Sequence, residues 1–213
     1  FDDKGICSAC NFAVAKRNTD WEKRETELKK LCDKFRKNNG EYDVIVPCSG
    51  GKDGSYVAHQ LKTVYGMTPL AVTWAPCIYT EIGRKNLNNF IESGFNHVLG
   101  TSDPTITKKI ASLAFRELGD PFQPFIYGQQ NFPLRMAHAY DVKLVMYGEN
   151  GEVEYGGDMK NANSPTRTLD DHDKYYYKGM TIESLKKYNI LLNELYTFSG
   201  PTKKEMSDKG TEI

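Results

Sequence analysis

The chain has 213 residues, 39% of them hydrophobic, and its 28 basic side chains balance 28 acidic ones. This length fits one domain with a small accessory. The balanced charge argues for a small-molecule substrate and against a general nucleic-acid binder, and no apolar run is long enough to span a membrane. Because the five cysteines do not suggest a secreted disulfide framework and nothing resembles a secretory leader, we expect a cytoplasmic protein.

The first forty residues combine a cysteine pair with an amphipathic helix. Cys7 and Cys10 have the C-x-x-C spacing of one half of a tetrahedral zinc site, which needs two further ligands. Between residues 18 and 37, apolar side chains recur at helical spacing among many charges, and Asn39-Gly40 is a typical stop. Residues 1–40 are therefore predicted to form a helical N-terminal segment that carries half of a zinc site.

Strands and helices then alternate along the chain. Strands are predicted at 44–46, 69–74, 96–99 and 142–147, and helices at 80–93, 104–118 and 182–195, with a further helix after the first strand. Alternation of this kind is typical of βαβ units, and it predicts a doubly wound, mostly parallel α/β sheet of the Rossmann type within residues 41–195. A long polar loop is predicted at 149–178, where "DDHDKYYYKG" has the composition of a surface recognition loop. Residues 196–213 are predicted to be a poorly ordered tail.

A glycine turn, "SGGKDGS" at residues 49–55, joins the first strand to its helix. Successive glycines let backbone N–H groups point into one concavity, and the helix N-terminus behind them adds partial positive charge. Lys52 supplies the full positive charge that suits a phosphate. The spacing matches neither the P-loop nor the dinucleotide fingerprint, so the sequence predicts a phosphate-binding loop of another type. The plainer alternative is a glycine turn with a solvated lysine.

This turn resembles the Ser-Gly-Gly-x-Asp-Ser pyrophosphate loop of the N-type ATP pyrophosphatases (the PP-loop, or adenine nucleotide alpha hydrolase, superfamily). Together with "FDDKGICSAC" at the start and "MYGENGEVEYGGD" after the predicted fourth strand, it is similar to the N-acetyl sugar amidotransferases within that superfamily. The resemblance covers residues 1 to 178. It implies a PP-loop fold, with ATP and Mg²⁺ as cosubstrate and cofactor.

The resemblance also implies an activity. Members of that family adenylate the acetamido oxygen of an N-acetylated nucleotide sugar, release pyrophosphate, and replace AMP with ammonia to give an acetamidino sugar. They act in bacterial lipopolysaccharide O-antigen or nonulosonate biosynthesis. A separate glutaminase subunit supplies the ammonia, so the resemblance implies such a partner here.

Individual site residues follow from the same resemblance. Lys52 and Asp53 are the implied catalytic residues of the loop, with Asp53 orienting it or holding Mg²⁺. The family's closing serine is Gly54 here, and Ser55 stands one place later. The implied ATP contacts are Ser49, Gly50, Gly51, Lys52, Asp53, Gly54, Ser55, Trp74 and Gly148.

Carboxylates follow the predicted fourth strand and should meet the glycine turn, because the carboxyl ends of parallel strands share one edge. Glu149 and Glu152 suit Mg²⁺ binding or the removal of a proton from attacking ammonia; the alternative is an acidic turn between elements. The expected substrate contacts are Asn150, Tyr155, Arg135 and Lys160. The family also carries a second cysteine pair upstream of the one at Cys7 and Cys10, which would complete a structural zinc site.

Two other functions stay open from the sequence. Cys77 follows the second strand, and tRNA-thiolating members of the superfamily use cysteines to deliver sulfur. A tRNA thiolation enzyme is therefore the alternative enzyme, although the balanced charge is unusual for an RNA binder. A module of this fold that binds ATP without turnover is the alternative outside catalysis.

Overall fold

The computed structural model describes residues 1–151, 164–167, 169 and 172–213. Contacts divide the chain into two compact units, Phe1–Lys34 and Phe35–Ile213. Helix α1, Ser8–Arg17, lies in the first unit, as does most of helix α2, Trp21–Phe35, which confirms the predicted amphipathic helix. The predicted domain boundaries at residues 40 and 195 stay predictions.

The second unit is built on a three-stranded parallel sheet with the order β1-β2-β3. Val44 pairs with Pro69, and Leu70 pairs with Asn96. The three strands alternate with helices, as the sequence predicts, so the α/β class is confirmed while the doubly wound arrangement stays a prediction. The elements are β1 Val44–Pro47, α3 Lys52–Thr63, β2 Pro69–Trp74, α4 Glu81–Glu92, β3 Asn96–Gly100, α5 Pro104–Leu118 and α6 Gln123–Ala139.

Beyond β1, the predicted fourth strand is reduced to isolated bridges. Val145 bridges Ile45 in parallel, with the Met146 N–H donating to the Ile45 carbonyl at 2.9 Å. Neighbouring residues of β1 hydrogen-bond to β2 instead, so Leu144 and Val145 lie along the other edge of β1. The chain order along the sheet therefore reverses beside β1, and ligands of parallel sheets bind outside the carboxyl ends of strands at such a reversal.

The core explains why the strands are apolar throughout. Leu70, Val72 and Trp74 are buried with side chains of α5 and α6, while the alternating Ala71 and Thr73 are buried on the other face. A strand buried on both faces cannot show the polar alternation of a half-exposed strand. Of the helices in the part of the chain that the structure describes, none is both long and apolar enough to cross a membrane.

The helix ends follow their local signals. The Asp103 carboxylate accepts the Thr105 N–H at 2.7 Å, Pro104 starts α5, and Gly119 ends it with a left-handed φ of 70°. Thr80 caps α4 in the same way through the N–H of Gly83. These ends agree with the predicted bounds because capping depends on residues adjacent in the sequence.

The C-terminal part differs from its prediction. A short 3₁₀ helix, Glu183–Tyr188, stands in place of the predicted helix at 182–195, and Asn189 ends it with a left-handed φ of 57°. A second 3₁₀ helix, Tyr196–Phe198, follows the predicted range. The segment predicted to be a poorly ordered tail contains helix α7, Lys203–Lys209. A reciprocal capping box between Thr202 and Glu205 starts α7, and the burial of Met206 holds it in the core.

Candidate functional site

The candidate site lies where β1 ends and the glycine turn begins. Gly50 has a left-handed φ of 82°, and a Cβ there would lie 2.5 Å from the backbone nitrogen of Leu87. Helix α3 then begins after Gly51 without a side-chain cap. Glycine is thus required at position 50 by both conformation and contact, and the uncapped helix start behind it is suited to an anion.

Lys52 and Asp53 occupy the first turn of α3. The Lys52 ammonium lies 2.7 Å from both carboxylate oxygens of Asp53, and its side chain is 87% exposed. An ion pair this exposed adds little to stability, so binding of a ligand here would cost the fold little. A groove of about 440 Å³ opens beside them, lined among others by Ser55, Tyr56, His59, Asn86 and Asn89.

Gly54, which stands where the resembled pyrophosphate loop has a serine, is closely packed. It is buried, and a Cβ there would lie 2.7 Å from the carbonyl oxygen of Pro47 and 3.0 Å from the Cα of Cys48. No side chain fits at this crossing of helix and strand. The hydroxyl of Ser55 lies 3.5 Å from the Cys48 sulfur, and burial above all raises the pKa of that thiol, so Cys48 stays protonated at neutral pH.

The loop after the fourth-strand segment reaches the same place. A Cβ on Gly148 would lie 2.7 Å from both the Asp53 carbonyl carbon and the Gly54 nitrogen, so the two backbones are in direct contact. The charge of Glu149 adds to burial in raising the pKa of Cys48, which places Glu149 within electrostatic reach of the turn. The structure thus brings Gly148 and Glu149 to Asp53. Glu152, Tyr155 and Lys160 lie outside the described residues.

Three other residues predicted to contact ATP or the substrate are Trp74, Arg135 and Asn150, and each has its own surroundings. The indole of Trp74 is buried against Phe132 and Phe198 and on Gly128, so only its backbone is left for the predicted adenine contact. Arg135 donates to the carbonyls of Tyr196 and Thr197, at 2.9 and 3.0 Å, and these bonds hold it to the C-terminal 3₁₀ helix. Asn150 is exposed beside Glu149.

The cysteine pair lies at the start of helix α1, with Cys7 as the N-cap and Cys10 in the first turn. The Cys7 sulfur accepts the backbone N–H of Cys10 at 3.4 Å, and this hydrogen bond is the main cause that lowers the pKa of Cys7. Within the described residues, no third histidine, cysteine or carboxylate joins them, so the zinc half-site stays a prediction. Cys77 is a free, exposed thiol in the β2–α4 loop.

The sequence does not predict a buried to half-buried group that we name the tyrosine–arginine cluster: Gln130, Tyr147, Arg167, His172 and Tyr176. Arg167 donates to Gln130 Oε1 at 2.9 Å and to the Tyr176 hydroxyl at 3.2 Å. Its guanidinium lies 4.7 Å from the Tyr147 ring centroid and 5.2 Å from that of Tyr176. In the segment predicted to be a surface recognition loop, His172 and Tyr177 are therefore buried, whereas Lys174 and Lys178 are exposed.

Burial of His172 is expected to make the fold sensitive to acid. Desolvation first, and the Arg167 charge second, lower the pKa of His172 to about 3. Because the folded pKa is depressed, the unfolded chain takes up the proton first as pH falls below about 6.5. The free energy of unfolding should then drop by about 1.4 kcal/mol per pH unit down to about pH 3.

Urea unfolding at pH 7.0 and 5.5 measures this effect in the wild type and in His172→Gln. The wild type should lose about 1.4 kcal/mol more than the variant between these pH values. His59→Gln, which changes an exposed imidazole, is the matched control and should follow the wild type. Equal losses in the wild type and His172→Gln would contradict the prediction.

Comparison with known proteins adds little to this geometry. The chain matches no protein-family model and no curated protein. Among solved structures it is similar to a predicted subunit of tRNA methyltransferase from Methanocaldococcus jannaschii, with 21% identity, a TM-score of 0.39, and coverage of 78% of this chain and 73% of that one. This similarity is too weak to indicate a function for the chain.

Proposed function

We propose that the chain is an ATP-dependent, AMP- and pyrophosphate-forming amidotransferase that acts on an N-acetylated nucleotide sugar. The observation that carries the proposal is the backbone contact of Gly148 with Asp53 and Gly54. It joins a loop of phosphate-binding type and a carboxylate-bearing loop at one end of a parallel sheet, where ligands of such sheets bind. The resemblance of residues 1–178 to the amidotransferases supports the same reaction.

The proposed reaction has two steps. The acetamido oxygen attacks the α-phosphorus of ATP, the bond to the β-phosphate oxygen breaks, and pyrophosphate leaves. Ammonia then adds to the activated carbon, AMP leaves with the former amide oxygen, and the product is an amidine. The first step is needed because an amide oxygen is a very poor leaving group, whereas AMP is a good one.

The described residues fit distinct parts of this reaction. Lys52 and the N–H groups at the start of α3 would hold the β and γ phosphates and stabilise the charge of the leaving pyrophosphate. Asp53 fits Mg²⁺, which is usually held by one or two carboxylates together with substrate phosphates and which, when bound, neutralises phosphate charge. Glu149 would accept the proton that attacking ammonia must lose.

The partner and the cellular role belong to the same proposal. Ammonia would come from a separate glutaminase subunit, as in the amidotransferases that the sequence resembles. The product would enter surface polysaccharide, such as lipopolysaccharide O-antigen, or a nonulosonate. A zinc ion at Cys7 and Cys10 would need two ligands beyond those described.

Pyrophosphate release from Mg-ATP at high ammonium concentration tests the proposal. The candidate substrates are UDP-linked diacetamido sugars, CMP-linked nonulosonates and unmodified tRNA. Release that depends on a sugar, with an amidine product detected by mass spectrometry, is the expected result. Release with tRNA alone would overturn it in favour of thiolation, for which the exposed thiol of Cys77 is suited. ATP binding without turnover on any substrate would favour a binding module.

A further inference from the structure

The tyrosine–arginine cluster has more hydrogen-bond donors than partners within the described residues. A guanidinium carries five N–H groups, and the side-chain acceptors of Arg167 are the Tyr176 hydroxyl and the Gln130 amide oxygen. The Nε of Arg167, the Tyr147 hydroxyl and the Nε2 of His172 are buried without a hydrogen bond of good geometry, although Tyr147 and Arg167 lie close enough to shift each other's pKa. Native proteins seldom leave such groups unpaired, and each exception needs an explanation.

The charge of the cluster also has no ion-pair partner in the part of the chain that is described, although the charge of Glu149 reaches Tyr147. None of the ion pairs there includes Arg167. Burial raises the pKa of Tyr147 despite the nearby guanidinium, so the phenol stays neutral and does not supply a negative charge. A mostly buried cation without a carboxylate at ion-pair distance is unusual, because the desolvation of the charge is not offset by a close ion pair.

Arg167 is held in a fixed orientation. Its guanidinium lies over the rings of Tyr147 and Tyr176, and its backbone N–H donates to the Ile213 carbonyl at 3.0 Å. A planar fork fixed in this way suits the two oxygens of a carboxylate or a phosphate. The hydroxyls of Tyr147 and Tyr176 are further donors beside it.

The cluster is adjacent to the candidate site. A Cβ on Gly151 would overlap the Tyr176 hydroxyl and lie 3.7 Å from an Arg167 terminal nitrogen. Gly148 contacts the start of α3, and three residues of chain span at most about 11 Å. The charge of Glu149 acts on both Cys48 and Tyr147, so the same short loop borders the glycine turn and the cluster.

We propose that Arg167, Tyr147 and Tyr176 form an anion subsite, which binds a carboxylate or phosphate group of the molecule that is modified at the candidate site. The identity of that molecule rests on the proposed function, whereas the anion binding does not. The subsite anchors the substrate through a group distant from its acetamido carbon. Binding there uses the unpaired donors of the cluster.

Isothermal titration calorimetry of the full chain with a bound non-hydrolysable ATP analogue tests the subsite. The ligands are a UDP-linked diacetamido sugar, a CMP-linked nonulosonate, and the same nonulosonate with its carboxylate converted to a carboxamide. Loss of affinity in the carboxamide would identify the carboxylate as the bound group. Equal affinity of the nonulosonate and its carboxamide, together with binding of the UDP sugar, would identify a phosphate.

The variants are Tyr147→Phe and Arg167→Gln. Tyr147→Phe removes one unpaired hydroxyl, so it should weaken ligand binding about tenfold while the urea midpoint stays the same or rises. Arg167→Gln should weaken binding about 100-fold or more. Tyr42→Phe, which alters a partly buried tyrosine before the start of β1, is the matched control and should bind as the wild type does.

Wild-type affinity in Tyr147→Phe would overturn the subsite and leave the cluster a structural one, as would failure of all three ligands to bind the wild type. Pyrophosphate release decides the proposed function separately. Ligands that bind through Arg167 without supporting release would refute the amidotransferase and keep the subsite. Pyrophosphate release that is unchanged in both Tyr147→Phe and Arg167→Gln would refute the subsite and keep the amidotransferase.

Discussion

Replacing Lys52 by alanine is expected to lower the rate of pyrophosphate release by about 10²–10³-fold, the usual effect of removing one donor that stabilises transition-state charge. The physical reason is the position of Lys52 in the first turn of α3, where its ammonium stands beside the uncapped start of the helix. Stability should hardly change, because the Lys52–Asp53 pair is exposed. Initial rates with saturating sugar and ammonium, together with a urea unfolding curve, measure both effects.

Two controls separate the role of this lysine from general loss of charge. Lys108→Ala removes an exposed lysine from α5 and should keep wild-type activity. Lys52→Arg keeps the charge but changes its shape, and it should retain more activity than alanine does. Activity of Lys52→Ala within twofold of Lys108→Ala would mean that the glycine turn does not bind the reacting phosphates.

The sequence predicts those parts of the fold that depend on neighbouring residues. The strands before α3 and α5, the cap at Asp103 and the stop at Gly119 all follow from local chemistry. The pairing of the fourth-strand segment does not follow from local chemistry, because Leu144 pairs with Glu212 and Val145 with Ile45, and both partners are far away in the chain. The order of residues 203–213 likewise depends on this pairing and on the burial of Met206.

The same distinction holds for the candidate site. The glycine turn is contiguous, so its residues could be named from the sequence, and Gly148 could be assigned to the same edge because parallel strands end together. The tyrosine–arginine cluster could not be predicted from the sequence, since its members are separated along the chain and each is a common residue type. Tyrosines that look like a polar surface loop pack inward here, and Tyr177 is only 5% exposed.

The contact between the two loops should be as important to activity as the lysine. In Gly148→Ala, the new Cβ would meet the Asp53 carbonyl carbon and the Gly54 nitrogen at 2.7 Å, and both are backbone atoms that cannot rotate away. The φ of Gly148 is not left-handed, so alanine adds no conformational strain of its own. The loops must therefore separate, and a displacement of about 1 Å at a reacting centre reduces the rate about 100-fold.

Pyrophosphate release and urea unfolding of Gly148→Ala, measured where the variant is fully folded, distinguish this effect from loss of the fold. Overpacking should cost about 1–3 kcal/mol of stability. Gly83→Ala is the control, because its new Cβ would meet a side-chain hydroxyl of Thr80 at 3.0 Å and alanine favours the helix by about 1 kcal/mol. Since Gly83 does not contact the glycine turn, its variant should keep wild-type activity. A folded Gly148→Ala with wild-type activity would show that the two loops act independently, and the proposed active site would then have to be built from the glycine turn alone.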